Sequence, residues 1–168
     1  MGRNFRGLLI MENKIFKKKF NDIAKSYGFE SMFGGWFKET SECIFVVDLM
    51  KSNFGNYYQL NIKVFVNGVF GRFYTKNKDL VKREIGDIFI GEPREFKTAL
   101  DLEILMDVKE REQKLQSLFK DFLVPFSEKT LTKHGINELS EQGEIDLLLP
   151  VKEELEKLKI SIGSKRLI

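Results

Sequence analysis

Cys43–Asn67, CIFVVDLMKSNFGNYYQLNIKVFVN, decides the fold, because it predicts two long strands joined by a short polar turn. Ile44–Met50 is apolar on both faces for most of its length, which is typical of a central strand. Ser52–Asn56 supplies Gly and Asn, which tolerate the positive φ of a hairpin turn. The second strand alternates, so we expect its apolar set to face the core. That set is Tyr58, Leu60, Ile62, Val64 and Val66, and the polar set is Tyr57, Gln59, Asn61 and Lys63.

The residues before and after this hairpin predict a larger sheet. Apolar side chains recur at helical spacing from Phe16 to Tyr27, and Gly28 stands where a helix-ending glycine is expected. Met32–Lys38 predicts an aromatic strand, with Gly34-Gly35 marking a bulge or a tight turn. Ile85–Ile90 is a candidate fourth strand and Phe96–Leu102 a candidate fifth.

The C-terminal part is mostly helical by pattern. Asp107 stands three residues before Glu110, the spacing of a capping box, and opens the strongest helix in the chain. Pro125 is expected to end that helix, because proline lacks an N–H donor. A short helix at Ser127–Lys133 and a last helix beginning at Pro150 follow.

These patterns together predict an α+β fold. It consists of an antiparallel meander sheet of four to five strands, with an N-terminal helix and C-terminal helices packed on one face. A chain of 168 residues is long enough for one domain with its own core, so we expect a single domain over 1–168. Within it, residues 1–11 are expected to be a flexible extension and residues 160–168 a loose tail.

The charges of the chain are polarised. The net charge of +3 favours solubility over a nucleic-acid partner. Residues 1–20 carry six Lys or Arg and one Glu, whereas residues 137–158 carry seven Asp or Glu and two Lys. We expect these two ends to neutralise each other in the fold or in an oligomer such as a homodimer. The alternative is a basic patch that meets an acidic partner.

Residue types that carry chemistry are scarce. Cys43 is the only cysteine, which excludes an intramolecular disulfide and a cysteine-based zinc site and favours a reducing compartment. His134 is the only histidine, at the end of a predicted short helix, where capping is commoner than catalysis. No run reaches the roughly 18 apolar residues that a membrane span needs. We therefore expect a cytoplasmic protein with no membrane contact, no metal, no cofactor and no catalytic residue.

Candidate binding residues are polar side chains whose positions a simple core does not explain. Asp48 lies inside an apolar strand, and a buried carboxylate needs a partner or a shifted pKa. Asn61 and Lys63 share the polar face of the next strand. Trp36 belongs to an interleaving of aromatic and basic residues that is also typical of single-stranded nucleic-acid platforms, although these positions alternate as a core face does. The candidates are Asp48, Lys51, Asn61, Lys63 and Trp36.

Four short motifs resemble a bacterial family of small α+β domains, domain-of-unknown-function family 4304. They are Phe20-Asn-Asp-Ile-Ala-Lys-Ser-Tyr-Gly28-Phe29, Gly35-Trp36-Phe37-Lys38, Val47-Asp-Leu-Met-Lys51-Ser52 and Tyr58-Gln-Leu-Asn61-Ile-Lys-Val64. The resemblance covers roughly residues 13–125 and implies the same fold. Met50 departs from it, because the family has a glutamine before the Lys-Ser pair. No activity is established for the family, so the resemblance implies no catalytic residue.

The absence of a His, Cys or metal-ligand constellation favours a non-enzymatic bacterial binding protein. We expect a protein partner, bound through the exposed face of the sheet or the charged ends, as in an immunity or regulatory module. The second hypothesis is a small-ligand binder or an enzyme with its site between the sheet and the Asp107 helix. The third is weak nucleic-acid binding through the N-terminal lysines, which the modest net charge does not favour.

Overall fold

The computed structural model describes the backbone of residues 8–9 and 11–166 and the side chains of residues 11–158. Its strands are β1 (Leu8–Leu9), β2 (Glu30–Met32), β3 (Gly35–Glu39), β4 (Cys43–Lys51), β5 (Tyr58–Val66), β6 (Ile88–Gly91) and β7 (Met106–Asp107). Its α-helices are α1 (Asn13–Ser26), α2 (Lys78–Lys82), α3 (Lys97–Leu100), α4 (Val108–Ser117), α5 (Val124–Thr130), α6 (Lys133–Glu141) and α7 (Leu149–Arg166). A π-helix, Leu118–Leu123, joins α4 to α5.

The predicted α+β fold is confirmed. Five antiparallel strands follow one another in the order β2-β3-β4-β5-β6, and β1 pairs separately with β7. β4 and β5 form the centre, with nine residue pairs in register from Cys43↔Val66 to Lys51↔Tyr58. The prediction that the apolar set of β5 faces the core is confirmed, since all five residues are buried: Tyr58, Leu60, Ile62, Val64 and Val66.

The main core lies between one face of the sheet and the long helices. Phe20 of α1 packs against Trp36 of β3, with ring centroids 4.7 Å apart, and against Phe119 of the π-helix at 5.1 Å. α1 ends as predicted, because Gly28 adopts φ +85° and the N–H of Phe29 bonds the carbonyl of Ala24. These contacts fix α1 and the α4–α5 run on the same face of the sheet.

The opposite face of the sheet is only partly covered, by α2 and the segment before it. Leu80 and Val81 of α2 pack on Phe37, Val46 and Phe65 to form a second, smaller core. Gly35 permits this approach, because a Cβ there would lie 3.0 Å from the side chain of Val81. We call this face of the sheet, together with α2 and the segment before it, the α2 side.

Three sequence-based expectations about elements were wrong. Phe96–Leu102 is not a fifth strand but a 3₁₀ turn followed by α3; the fifth strand arises because a turn at Phe33–Gly34 divides the predicted first strand into β2 and β3. Pro125 does not end the helical run, because the wider π turn before it accommodates a residue that cannot donate a hydrogen bond. The helix expected at Ser127–Lys133 is divided between α5 and α6.

The two predicted termini lie partly beyond the described residues. Of the extension expected at 1–11, the structure describes Leu8 and Leu9, which form β1, and Met11, which is buried. Of the tail expected at 160–168, the backbone is described through Arg166 as part of α7, whose first turn contains Pro150 as predicted.

Candidate functional site

Asp48 and Asn61 lie directly opposite each other on β4 and β5, on the sheet face that carries α2. The Nδ2 of Asn61 donates to Oδ2 of Asp48 at 3.3 Å, and Nζ of Lys82 lies 3.6 Å from Oδ1 of the same carboxylate. Asp48 is only 7% exposed, so both of its oxygens face partners from neighbouring elements. The structure therefore brings two of the candidate residues together at the edge of α2.

Lys63 belongs to the same face but has a structural task. Its Nζ donates to the carbonyl oxygens of Leu80 at 3.2 Å and Val81 at 2.7 Å, the last turn of α2. Burial lowers the pKa of Lys63, and the nearby Asp48 carboxylate acts in the opposite direction. Lys63 thus attaches α2 to the sheet by satisfying carbonyls that the helix end leaves free.

Lys51 and Trp36 do not join this cluster. Trp36 lies on the opposite face, where it packs on Phe20 and its Nε1 donates to Oδ1 of Asn21 at 3.0 Å. Lys51 is exposed at the end of β4, in register with Tyr58, whose side chain belongs to the main core. The five predicted residues therefore divide into three on the α2 side and two on the helix side.

Two strongly exposed aromatic residues lie in the aromatic loop, residues 68–74, at the end of the sheet; its Val69 packs into the main core and its Tyr74 packs on the smaller core beside α2. Phe70 is 73% exposed and Phe73 is 79% exposed. Phe70 adopts φ +56°, which is unfavourable for a residue other than glycine. The loop is nevertheless ordered by its own main chain, because Gly68 N–H donates to Arg72 O at 2.8 Å and Tyr74 N–H donates to Oδ1 of Asn67 at 2.9 Å.

Arg72 holds the aromatic loop against the sheet. Its guanidinium carbon lies 5.9 Å from the ring centre of Phe70 and 5.2 Å from that of Tyr74. Its nitrogens also lie 3.6 Å from the Glu84 carboxylate and 3.9 Å from that of Asp87. Cation–π and ionic contacts thus converge on one side chain, which fixes Phe70 and Tyr74 on either side of it in the loop.

Other large apolar side chains on the α2 side are also half exposed. Phe33 forms the β2–β3 turn and packs edge-on against Phe37, with ring centroids 6.3 Å apart. Met50 pairs in register with Gln59, and Phe89 with Lys63, so both project from the sheet face that α2 leaves open. Ile85 follows α2 directly. The α2 side therefore combines exposed apolar groups with the Asp48–Asn61 pair.

A small polar cleft adjoins this surface at the edge of β5. It has a volume of about 210 Å³, and Tyr57, Gln59, Glu92 and Lys97 are among its lining residues. Glu92 is partly used by the fold, because its Oε2 accepts a hydrogen bond from the N–H of Leu60 at 2.9 Å. α4 packs on the other face of the sheet, so Asp48 and Asn61 point away from the Asp107 helix and do not form a site between it and the sheet.

Sequence reasoning missed the aromatic loop because its signal is short. Gly71-Arg-Phe-Tyr74 predicts a continuation of the strand, since aromatic residues favour strands. Glycines at 68 and 71 were the informative feature, because both adopt positive φ and force a tight loop after β5. An aromatic residue enclosed between such glycines is turned outward instead of being paired in a sheet.

Neither a metal site nor a similarity to known proteins assigns a function to this chain. Among the described residues, no three His, Cys, Asp or Glu side chains are grouped so that they would hold a metal ion. No helix in that part of the chain is both long enough and apolar enough to cross a membrane. No protein-family model, curated protein or solved structure matches the chain. The resemblance to domain-of-unknown-function family 4304 stays a prediction.

Proposed function

We propose that this chain is a non-enzymatic binding protein that docks a partner protein on its α2 side. The observation that carries the proposal is the aromatic loop, which exposes Phe70 and Phe73 while Arg72 and main-chain hydrogen bonds hold it in place. Exposed aromatic residues beside an arginine are the side chains that most often dominate binding energy at protein interfaces.

The energetics of the loop support a role in binding. Covering an exposed phenylalanine removes apolar surface from water and contributes roughly 1.5–3 kcal/mol. Because the loop is already ordered, little conformational entropy is lost when a partner covers it. The positive φ of Phe70 costs about 1 kcal/mol, and a fold that retains such strain commonly does so at a functional surface.

The Asp48–Asn61 pair supplies the polar part of the proposed surface. Both side chains lie on a rigid sheet between Lys82 and the half-exposed Met50, whose Sδ is 4.0 Å from Nδ2 of Asn61. The Asp48 carboxylate is already satisfied by Asn61 and Lys82, so the partly exposed Asn61 is the member of the pair that a partner group would hydrogen-bond, and such a bond would add specificity. Lys63 supports the surface by holding α2 in place and does not itself contact the partner.

We propose a bacterial, cytoplasmic setting for this protein. The family resemblance favours a bacterial origin, and the single, fully buried cysteine suits a reducing cytoplasm. Burial raises the pKa of Cys43 to about 12, so the thiol is unreactive. An immunity or regulatory module fits a small binding domain of this kind.

One alternative has a specific observation in its favour. The cleft beside Gln59 is lined by one acidic and one basic side chain, Glu92 and Lys97, together with tyrosine rings, and would suit a small zwitterionic ligand. A small-molecule binder would use that cleft and not the aromatic loop. Nucleic-acid binding would instead use the exposed lysines of α1, namely Lys14, Lys17 and Lys18.

Site-specific photo-crosslinking separates these proposals. A photoreactive phenylalanine analogue is placed at position 73, or at position 54 as a control, and the chain is expressed in its native host. Phe54 is 94% exposed, but it lies at the β4–β5 turn, at the opposite end of β5 from the aromatic loop. We expect one defined protein adduct from position 73 and none from position 54. Equal adducts from both positions, or none from either, would count against docking at the loop.

A further inference from the structure

The helix side of the molecule carries a trough along α5 and α6. It consists of two adjoining cavities of about 250 and 400 Å³, which share Pro125 and Lys129 as lining residues. Phe126, in the wall of the smaller cavity, also packs on Phe45 of β4, with ring centroids 6.1 Å apart. Phe45 belongs to the main core, so the trough lies across the sheet from the α2 side.

Two stacked aromatic rings line the apolar part of this trough. Phe122 and Phe126 have ring centroids 5.4 Å apart and planes within 12° of parallel, and both side chains are half-buried. Phe122 lies in the π-helix, whose wider turn precedes Pro125. π-helical turns within α-helices occur frequently at functional sites, and this one positions the aromatic pair at the surface.

The rim of the trough is acidic. Asp121 and Glu144 line one cavity, and Glu128 and Glu138 line the other. Lys129 is the only lysine or arginine among the lining residues, and its Nζ lies 2.9 Å from Oε2 of Glu138. Asp121, Glu128 and Glu144 are exposed, and no ion pair joins any of them to another side chain within residues 11–158. Glu128 and Glu144 are compensated only at longer range, by Lys38 and Lys129 respectively, so the rim keeps an excess of negative charge beside an apolar floor.

The two charged ends of the sequence form ion pairs with other nearby residues. The described ion pairs of α1 join Lys18 to Asp22 and Lys19 to Glu112. Those of the acidic stretch 137–158 join Glu138 to Lys129 and Glu154 to lysines at 133 and 157. Both ends of the chain are thus neutralised in part by nearby residues, and two acids of the stretch 137–158, Glu138 and Glu144, line the trough.

We infer that the trough binds a cationic segment of a partner protein, one that places apolar side chains on one face and Lys or Arg on its edges. The apolar side chains would cover the Phe122–Phe126 pair, as in other grooves that receive amphipathic helices. The basic side chains would pair with Asp121, Glu128 and Glu144. Anionic occupants, such as nucleic acid or acidic lipid, are repelled by the same three carboxylates.

A peptide titration tests this inference on the full chain. The probe is a synthetic amphipathic peptide of leucine and lysine, and its control replaces every lysine by glutamate. Binding is followed by fluorescence anisotropy at low salt and by amide chemical shifts of the labelled protein. We expect the lysine peptide to bind, to shift amides of residues 121–144, and to lose affinity as salt is added.

Matched triple variants make the test specific. Asp121→Asn with Glu128→Gln and Glu144→Gln removes the rim charges, whereas Glu95→Gln with Glu103→Gln and Glu110→Gln removes the same charge from exposed positions elsewhere. We expect the rim variant to weaken binding roughly tenfold or more and the control variant to change it little. Equal weakening in both, shifts outside residues 121–144, or no binding at low salt would overturn the inference. Phe73→Ser should leave peptide binding unchanged, which separates this trough from the aromatic loop.

Discussion

The Asp87 carboxylate accepts a hydrogen bond from the main-chain N–H of Val66 at 2.8 Å, at the point where β5 leaves the sheet for the aromatic loop. Burial raises the pKa of Asp87, although Val66, Tyr74 and Arg72 each act to lower it. The folded protein therefore holds the Asp87 proton more tightly than the unfolded chain does.

This relationship predicts a pH dependence of stability. A raised folded pKa means that Asp87 favours folding least above that pKa and most below the unfolded value of about 3.8. The free energy of unfolding of the wild type, relative to that of Asp87→Asn, should rise as pH falls through this window. Urea unfolding of both proteins at a series of pH values measures it, and parallel pH curves would contradict the assignment.

Phe70→Gly should leave the free energy of unfolding unchanged or raise it by about 1 kcal/mol, because glycine adopts φ +56° without strain. Gly71→Ala should lower the free energy of unfolding by about 1 kcal/mol, because Gly71 has φ +69°. A Cβ there would meet no atom within 4 Å, so the loss would come from backbone strain alone. Chemical denaturation checks both variants. A clear loss of stability in Phe70→Gly would show that the exposed ring has a structural role.

Gly135→Ala should lower the free energy of unfolding by about 3 kcal/mol, because the added methyl group would collide with the carbonyl oxygen of Lys129 where α5 meets α6. Gly143→Ala is the control, with φ +74° but open space around it, and should cost about 1 kcal/mol. Thermal and urea unfolding distinguish the two. Equal losses of stability in the two variants would mean that the close approach of α5 and α6 does not add to the cost of Gly135→Ala.

Arg111→Met should lower the free energy of unfolding by about 3 kcal/mol or more. The fully buried guanidinium donates to the carbonyl oxygens of Ala99 at 2.8 Å and Ile104 at 2.7 Å, and these acceptors would lose their partner. Lys109→Met, at an exposed position of the same helix, should change stability by less than about 0.5 kcal/mol. Hydrogen exchange should localise the loss to residues 97–106.

The sequence predicted the parts of the fold that rest on regular periodicity. The β4–β5 hairpin, α1 with its glycine stop at Gly28 and the cap of α4 by Asp107 all follow local rules, and the structure contains them. The prediction of a strand at Phe96–Leu102 failed because a short apolar run does not distinguish strand from helix. In the structure, Arg111 of α4 donates hydrogen bonds to carbonyls of α3, a long-range contact that the local pattern does not encode.

The candidate site was predicted only in part. Asp48 was a candidate because it is a carboxylate inside an apolar strand, and Asn61 because it lies on the polar face of β5; the register of β4 and β5 places the two opposite each other. Trp36 and Lys63 also lie where alternation places them, but their partners, Asn21 and the carbonyls of α2, depend on how helices dock. Phe70 and Phe73 were missed because their exposure results from loop geometry, which the alternating pattern of β5 does not encode.

The most direct test of docking on the α2 side is the affinity of the partner captured from position 73, once that protein is purified. Isothermal titration would compare the wild type with Phe73→Ser and with the exposed control Phe54→Ser. We predict that Phe73→Ser weakens binding by about 1.5–3 kcal/mol, roughly tenfold or more, while Phe54→Ser has no effect. Equal affinities of all three proteins would contradict the proposal that the aromatic loop binds the partner.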